Sequence, residues 1–357
     1  MPRLPPSLIR RAHNISPHLA ALLPACRDLG SARNELRWIR QHVAEVLSSR
    51  TNGAINNTPL RHLKENVLLS KLCRRRGSGV PLQYVLGTQP FGDLDIKCRK
   101  GVLIPRPETE AWVTRLAEVV RRDGESGDDG TRLNIWDLCT GSGCIALLLY
   151  SLLRRQFPGL SVRGFDVEPR AITLARENLT YNVLQGFLSK AEPNVQFEEA
   201  DVFSADWLSS LLMARGDTGA AVDILVSNPP YISARGFNRD TERSVRNHEP
   251  KLALVPERSP MSFPDCRPED VFYARLLEIT DVLRPKFAVF EVGDLEQASR
   301  VVQMAINQCN GVEVEIWRDW PDMQPSNDGT DVGGVGGVEV PVKGSGNGRA
   351  VFIRRKA

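Results

Sequence analysis

Apolar positions follow two rhythms along this chain, and the change from one to the other divides it. From Pro17 to about Leu72 they recur at helical spacing. His18 to Leu23 opens this part, and Ser31 to Ile39 continues it with Ser31 as the candidate cap. Leu60 to Cys73 closes it and runs into Arg74-Arg75-Arg76-Gly77, while Asn52 to Thr58 is polar and reads as a loop. Residues 17–80 therefore read as a small helical domain. The arginine run reads either as a solvated helix end or as a patch that docks an acidic or RNA-bound partner. The rhythm then shortens. Pro81 to Gly87 and Phe91 to Ile96 alternate and predict a hairpin in a linker over 81–105. Pro105 and Pro107 stiffen the next loop. Glu108 and Glu110 favour the start of a helix running to about Arg122, followed by a Gly- and acid-rich surface loop over Asp123 to Thr131.

Strands and helices alternate through the rest, residues 106–357. Asn134 to Leu138 predicts a strand, Cys139 to Gly143 a tight turn and Cys144 to Leu153 an apolar helix. Ser161 to Phe165 predicts a strand ending at Asp166, with a helix over Ala171 to Leu179. Val195 to Phe197 starts a third strand, followed by Ala200 to Phe203. The fourth is Asp223-Ile224-Leu225-Val226-Ser227, which stops at Asn228-Pro229-Pro230-Tyr231 because proline has no N–H for a ladder. Val271 to Leu283 and Leu295 to Asn307 read as helices. Phe287 to Val292, Val312 to Ile316 and Ala350 to Ile353 read as strands. Pro325 to Gly348, rich in Gly, Asp, Asn and Ser, reads as a disordered loop inserted into the final hairpin. The alternation predicts an α/β fold, a doubly wound sheet with an antiparallel edge where the last two strands meet.

Composition narrows the class. The chain has 357 residues, 41% hydrophobic and 25% charged, ordinary values for a globular protein. A net charge of +3 neither demands nor excludes a nucleic-acid partner. No apolar run is long enough to span a bilayer. Seven cysteines, scattered and without a C-x-x-C pair, argue against a disulfide framework or a zinc site and for a reducing compartment. No metal site is expected. The first 27 residues carry Arg3, Arg10, Arg11 and Arg27 and no acid. That suits a mitochondrial transit peptide over 1–16, or else a ragged basic terminus on a cytosolic protein. Pro2, Pro5 and Pro6 weaken any helix at the very start.

The candidate chemistry lies at strand ends, where open α/β sheets bind ligands. A glycine turn between strand and helix lets backbone N–H groups approach a ligand, which assigns Cys139, Thr140, Gly141, Ser142 and Gly143 to a nucleotide-type cofactor. Asp166 is positioned for ribose hydroxyls, Asp201 for an adenine amino group, and Val202 for the ring. Bound NAD is the first competitor, but Ala146 occupies the third glycine position of that fingerprint. Asp137, one acid before the turn, is unusual for NAD and common in sites for S-adenosylmethionine, where it helps orient the amino-acid end of the ligand. Asn228-Pro229-Pro230-Tyr231 suits methylation of an amide or exocyclic amine. The Asn228 side-chain oxygen and the Pro229 carbonyl are two acceptors for the N–H hydrogens. The proline rings hold them still, and Tyr231 offers its face to a planar group.

Four stretches in this order carry a resemblance: Pro81-Leu82-Gln83-Tyr84-Val85-Leu86-Gly87, Leu103-Ile104-Pro105-Arg106-Pro107-Glu108-Thr109-Glu110, Asp137-Leu138-Cys139-Thr140-Gly141-Ser142-Gly143 and Asn228-Pro229-Pro230-Tyr231-Ile232. Together they resemble the protein-(glutamine-N5) methyltransferases that act on peptide-chain release factors, in particular a fungal-type mitochondrial member. Ser31 to Leu36 and Glu249 to Leu254 also fit, so the likeness spans about Leu19 to Ile316. Asn-Pro-Pro-Tyr alone is shared with DNA adenine and RNA guanine methyltransferases; the other stretches are more specific. The resemblance implies a Rossmann-like, seven-stranded class I methyltransferase domain behind a helical domain that helps hold the release factor. It implies S-adenosylmethionine as cofactor, and as target the glutamine of a Gly-Gly-Gln loop. By this match Cys139 to Gly143 and Asp166 hold the cofactor and Val202 flanks its adenine. Asn228, Pro229, Pro230 and Tyr231 grip the glutamine, Asn228 bordering the cofactor as well. The implied substrate is a mitochondrial release factor, met in the matrix, with the cytoplasm as the alternative location. A monomer without direct nucleic-acid or membrane contact is expected. The chain departs from the family at Cys139, where glycine is usual, and in the length of the 325–348 insertion. The rivals are an amino-methyltransferase acting on RNA or DNA bases, a release-factor-binding module without catalysis, and a nicotinamide oxidoreductase.

Overall fold

Two units emerge in the computed structural model, which describes residues 3–50, 58–124, 132–189, 194–215, 221–256, 263, 266–323, 332–335 and 337–356. The first comprises Met1–Gln89, Cys98–Lys100 and Glu242–Glu249; the second comprises Pro90–Lys97, Gly101–Thr241 and Pro250–Ala357.

The first unit is helical: α1 (Pro6–Ile15), α2 (Pro17–Cys26), α3 (Leu29–Arg50), α4 (Thr58–Gly77) and α5 (Leu82–Leu86). Leu19, Leu22 and Leu23 on α2 and Leu36, Ile39 and Val43 on α3 bury the stripe that their spacing predicts. Each large aliphatic so buried contributes about 1.5–3 kcal/mol. A Cβ on Gly77 would lie 1.8 Å from the Ala21 carbonyl oxygen, so α4 ends with its backbone against α2. Arg76 donates to both carboxylate oxygens of Glu35, at 2.7 and 2.9 Å, tying α4 to α3, while Arg74 and Arg75 are exposed.

Several local expectations change here. Ser31 does not cap α3; Asp28 does, accepting from the Ser31 N–H at 2.8 Å, because the helix begins two residues earlier than the apolar pattern. Pro81 to Gly87 is not strand but α5, which Gly87 ends in the left-handed region at φ 89°. The segment 1–16 contains α1. Pro6 begins that helix instead of weakening it, since a first-turn proline gives up no intrahelical bond, and Ala12 is buried in the helical core. The stretch 51–57 of the expected polar loop lies outside the described residues, as does 125–131 of the loop after Arg122.

A hairpin of β1 (Thr88–Phe91) and β2 (Leu94–Lys97) follows α5 along the chain. The second unit then runs α6 (Pro107–Gly124), β3 (Arg132–Leu138), α7 (Cys144–Leu153), β4 (Gly159–Asp166), α8 (Pro169–Leu184), β5 (Val195–Glu199), α9 (Ala205–Arg215), β6 (Ile224–Ser227) and α10 (Ala234–Arg239). After α11 (Arg243–His248), part of the first unit, come α12 (Val271–Leu283), β7 (Phe287–Glu291), α13 (Leu295–Gln308), β8 (Val312–Trp320), β9 (Val332–Val335), β10 (Val338–Lys343) and β11 (Ser345–Arg355).

The sheet order is β5-β4-β3-β6-β7-β11-β8-β10-β9. Strands β3 to β7 are parallel, and β11 enters antiparallel between β7 and β8. Strand alternation separates two apolar layers. Ile135, Ile224, Val226 and Val289 face a layer with Trp112, Leu116 and Leu148. Trp136, Leu225, Ala288 and Phe290 face one with Tyr273, Leu276, Val301 and Val302. This is the α/β doubly wound architecture expected from the chain.

The seven implied strands are β3 to β8 with β11, and among the described residues the sheet carries two more, β9 and β10, because part of the 325–348 stretch is ordered as strand. Its glycines hide a period of two in Val338, Val340 and Val342; Val340 and Val342 are buried, and β10 lies parallel to β8. Residues 324–331 and 336 lie outside the described set.

Candidate active site

The sheet changes winding direction at β3, whose neighbours are β4 on one side and β6 on the other. At such a switch point the crevice opens at the carboxyl ends of the strands. Leu138 pairs with Ser227 there, and the Ser227 hydroxyl donates to the Leu138 carbonyl at 2.8 Å. A cleft with about 1050 Å³ of empty space, part of it open solvent, lies beyond them. Cys139, Thr140, Gly141, Ser142, Asp166, Asp201, Val202, Asn228 and Pro230 all line it. Asp137, Gly143, Pro229 and Tyr231, also expected at the site, do not.

The turn after β3 is held by main-chain geometry and two acids. Gly141 and Gly143 take φ values of 56° and 78°. A Cβ on Gly143 would lie 2.9 Å from Phe197 and 3.0 Å from Ala175, whereas one on Gly141 would meet nothing within 4 Å. Gly143 thus permits close approach beneath the turn, and Gly141 leaves a bare peptide facing the cleft. Cys139 adopts φ 58° without being glycine, a strained conformation for an L side chain. Burial and the nearby Asp166 push its thiol above the ordinary range, so it stays protonated.

Asp137 holds the turn from beneath. It is fully buried, and its Oδ2 accepts from the Thr140 hydroxyl at 2.6 Å and the Ala146 N–H at 3.3 Å. Among the described residues its Oδ1 has no partner, and burial pushes the carboxyl up to about 7. Asp166 braces the turn from β4: Oδ2 accepts from the Gly141 N–H and Oδ1 from the Glu168 N–H, both at 2.9 Å. Burial raises this acid as well. Asp201 is exposed and turns one oxygen to the Phe203 N–H at 2.9 Å. Val202 is buried, its carbonyl accepting from the Arg275 guanidinium at 2.7 Å.

The opposite wall is built from side chains. Asn228 Nδ2 lies 3.4 Å from Thr109 Oγ1. The Thr109 hydroxyl donates to Glu291 Oε2 at 2.6 Å, the same oxygen that accepts from Trp112 Nε1 at 2.8 Å. The Tyr231 hydroxyl reaches Glu291 Oε1 at 3.3 Å, and the Tyr231 ring packs partly against the core. Glu291 is thus a wholly buried acid surrounded by donors; burial raises its pKa against the pull of those bonds and of Arg349.

Thr109, Arg106, Leu252 and Phe272 also line the cleft, and Glu291 supports it, yet pattern reasoning passes over all five. Glu291 had a signal, an acid ending a buried apolar strand, the feature that singled out Asp166. Thr109 had only its place in the Leu103–Glu110 stretch that carries the resemblance, lying between two acids that read as helix-starting residues. All seven cysteines are free thiols, and no cluster of three or more potential metal ligands occurs among the described residues. Among them, too, no helix is long and apolar enough to cross a membrane.

No family model matches the chain. Curated relatives do. The chain is 36% identical over 303 residues to the mitochondrial MRF1 N(5)-glutamine methyltransferase MTQ1 of Saccharomyces cerevisiae, covering 84% of this chain and 79% of that one. It is 33% identical over 298 residues to a probable counterpart in Schizosaccharomyces pombe, with 83% and 86% covered. It is 32% identical over 287 residues to the release factor glutamine methyltransferase of Bacillus subtilis, with 78% and 87% covered. Among solved structures, the N-terminal domain of human METTL16 with SAH is similar only loosely, at TM-score 0.43 and 15% identity over 78% of this chain and 82% of that one. With identities of this size along most of both partners' lengths, the chain belongs to the release factor glutamine methyltransferase family.

Proposed function

We propose that this chain methylates the side-chain amide nitrogen of the glutamine in the Gly-Gly-Gln motif of a mitochondrial peptide-chain release factor, with S-adenosylmethionine as methyl donor. One observation carries it beyond family membership: Asn228 and the turn 139–142 border the same cleft. The cleft suits the cofactor. Gly141 leaves open space above its peptide, and Asp166 and Asp201 bring carboxylates to the rim for hydroxyl and amino groups. The residues that would hold it are Cys139, Thr140, Gly141, Ser142, Asp166, Asp201 and Val202, with Asp137 and Gly143 shaping the turn.

When bound, the cofactor supplies a sulfonium methyl that is already electrophilic. The chain's own task is orientation. Asn228 Oδ1 accepts one amide N–H of the glutamine, and the Pro229 carbonyl, outside the cleft lining in this structure, accepts the other once the glutamine is seated. The two acceptors turn the nitrogen lone pair toward the donor and stabilise the positive character that nitrogen gains on attack. The extra proton leaves to water once the N–C bond has formed, so no strong base is required. Tyr231 stiffens the motif from behind through its hydroxyl, and Pro230 offers the nearer apolar wall.

The two yeast relatives are named as mitochondrial, which supports the mitochondrial matrix as the location. The helical unit, with exposed Arg33 and Arg37 on α3, is the candidate holder of the release factor in an otherwise monomeric enzyme. The test is methyl transfer to a purified release factor, read by mass spectrometry of the glutamine, beside an RNA control. Asn228→Ala should lower kcat by about 100-fold, the effect typical of removing one preorganised polar contact, with cofactor Kd nearly unchanged. Near-normal turnover in that variant sinks the acceptor role. Label appearing in RNA instead moves the chain to base methylation.

A further inference from the structure

We infer that Thr109 is a positioning residue for the reaction: with Glu291 and Trp112 it fixes which way the Asn228 amide faces. The inference rests on the acceptor role given to Asn228 above. An asparagine amide has an oxygen end and a nitrogen end of nearly equal shape, and a half-turn exchanges an acceptor for a donor. Only the oxygen end can receive a substrate N–H, so something must forbid the turn.

The chain of hydrogen bonds supplies the rule. Trp112 Nε1 is donor-only, so Glu291 Oε2, 2.8 Å away, must accept. With Glu291 ionised that oxygen can only accept, so the Thr109 hydroxyl at 2.6 Å donates to it. The short distance belongs to an O–H bonded to a carboxylate oxygen. A hydroxyl has one hydrogen, and Thr109 has now committed it. What Thr109 presents to Asn228 is therefore a lone pair, which accepts from Nδ2 at 3.4 Å and would repel Oδ1. Asn228 keeps its oxygen free for the cleft. Thr109 and Glu291 are 2% and 1% exposed, so water does not compete for these bonds. Thr109 lines the cleft as well, but the role inferred for it acts through Asn228.

The full-length protein is assayed with release factor and S-adenosylmethionine, fitting kcat and KM separately and measuring cofactor Kd by calorimetry. Thr109→Val keeps the shape and loses the lone pair. It should lower kcat by about tenfold or more, an effect of the size seen when a supporting group outside the first contact shell is lost, and leave cofactor Kd within about threefold. Thr109→Ser, which keeps the hydroxyl, should restore kcat to within about threefold of the parent. Glu291→Gln conserves an acceptor toward Trp112 and should fall less than Glu291→Leu, which should match Thr109→Val. Unfolding curves for each variant check that the loss is not one of folding. A Thr109→Val enzyme with parental kcat overturns the inference, as does a Thr109→Ser enzyme as slow as Thr109→Val. A Glu291→Gln enzyme as slow as Glu291→Leu also overturns it, because charge rather than bond direction would then be at work. Activity surviving in Asn228→Ala removes the underlying reading and this inference with it. Loss in Asn228→Ala alone leaves that reading standing and rejects the inference.

Discussion

The two walls of the cleft are made differently. The cofactor wall is main chain: a turn whose φ angles are positive at three of its five residues, braced by carboxylates beneath it. The acceptor wall is side chain: Asn228, Thr109, Glu291 and Trp112 in series. A wall of peptides depends on backbone freedom and on what lies under it. A wall of side chains depends on which atom holds each hydrogen. The first should respond to substitution mainly through stability and cofactor affinity, the second mainly through turnover.

The largest expected effect that would sharpen this contrast is at Asp137. Its carboxyl titrates at about 7 in the fold against an ordinary 3.8, raised first by burial and further by Asp166, with Thr140 and Ala146 opposing. The folded state holds a proton that the unfolded chain releases. This contribution is complete below pH 3.8 and is lost as pH rises through about 7. At about 1.4 kcal/mol per unit it amounts to about 4 kcal/mol. Denaturant unfolding at a series of pH values should show that slope in the parent and a flatter curve in Asp137→Asn. Parallel curves would mean that Asp137 is ionised in the fold and paired with something else.

Next in size is Trp112→Phe on the other wall. Removing one donor to a buried carboxylate should lower stability by about 1–3 kcal/mol. Glu291 still accepts from Thr109, so kcat should fall less than in Thr109→Val. A kcat collapse with little loss of stability would break the contrast, since Trp112 would then act on the chemistry directly.

The smallest effect is expected at Cys139. A non-glycine residue in the left-handed region costs about 1–2 kcal/mol. Glycine there relieves it but adds about 0.5–1 kcal/mol of unfolded-chain entropy. Cys139→Gly should therefore stabilise the protein by about 1 kcal/mol or less, visible as a small rise in Tm. A fall in Tm would show that the thiol's contacts outweigh the strain.

The cofactor wall was far more legible in the sequence than the acceptor wall's support. A strand, a glycine turn and an apolar helix are neighbours in the chain, so local pattern suffices to read them. Thr109 and Glu291 are 182 residues apart, and no periodicity connects them. The fold followed the same division. Strands β3 to β7 announced themselves as short apolar runs, but β9 and β10 were hidden behind glycine. Strand β10 earns its order from contact with β8, a tertiary cause invisible in composition. The short helix α5 escaped because five residues are too few for helical spacing to separate from alternation.

The strand that lies between β7 and β8 is made after both of them. On the ribosome, β7 therefore emerges with one side unsatisfied, and with it the glutamate that supports the acceptor wall. Until Ser345–Arg355 threads into the gap, both neighbours expose bare ladder edges to any passing chain. A chain lacking that strand keeps a seam open through the middle of its sheet.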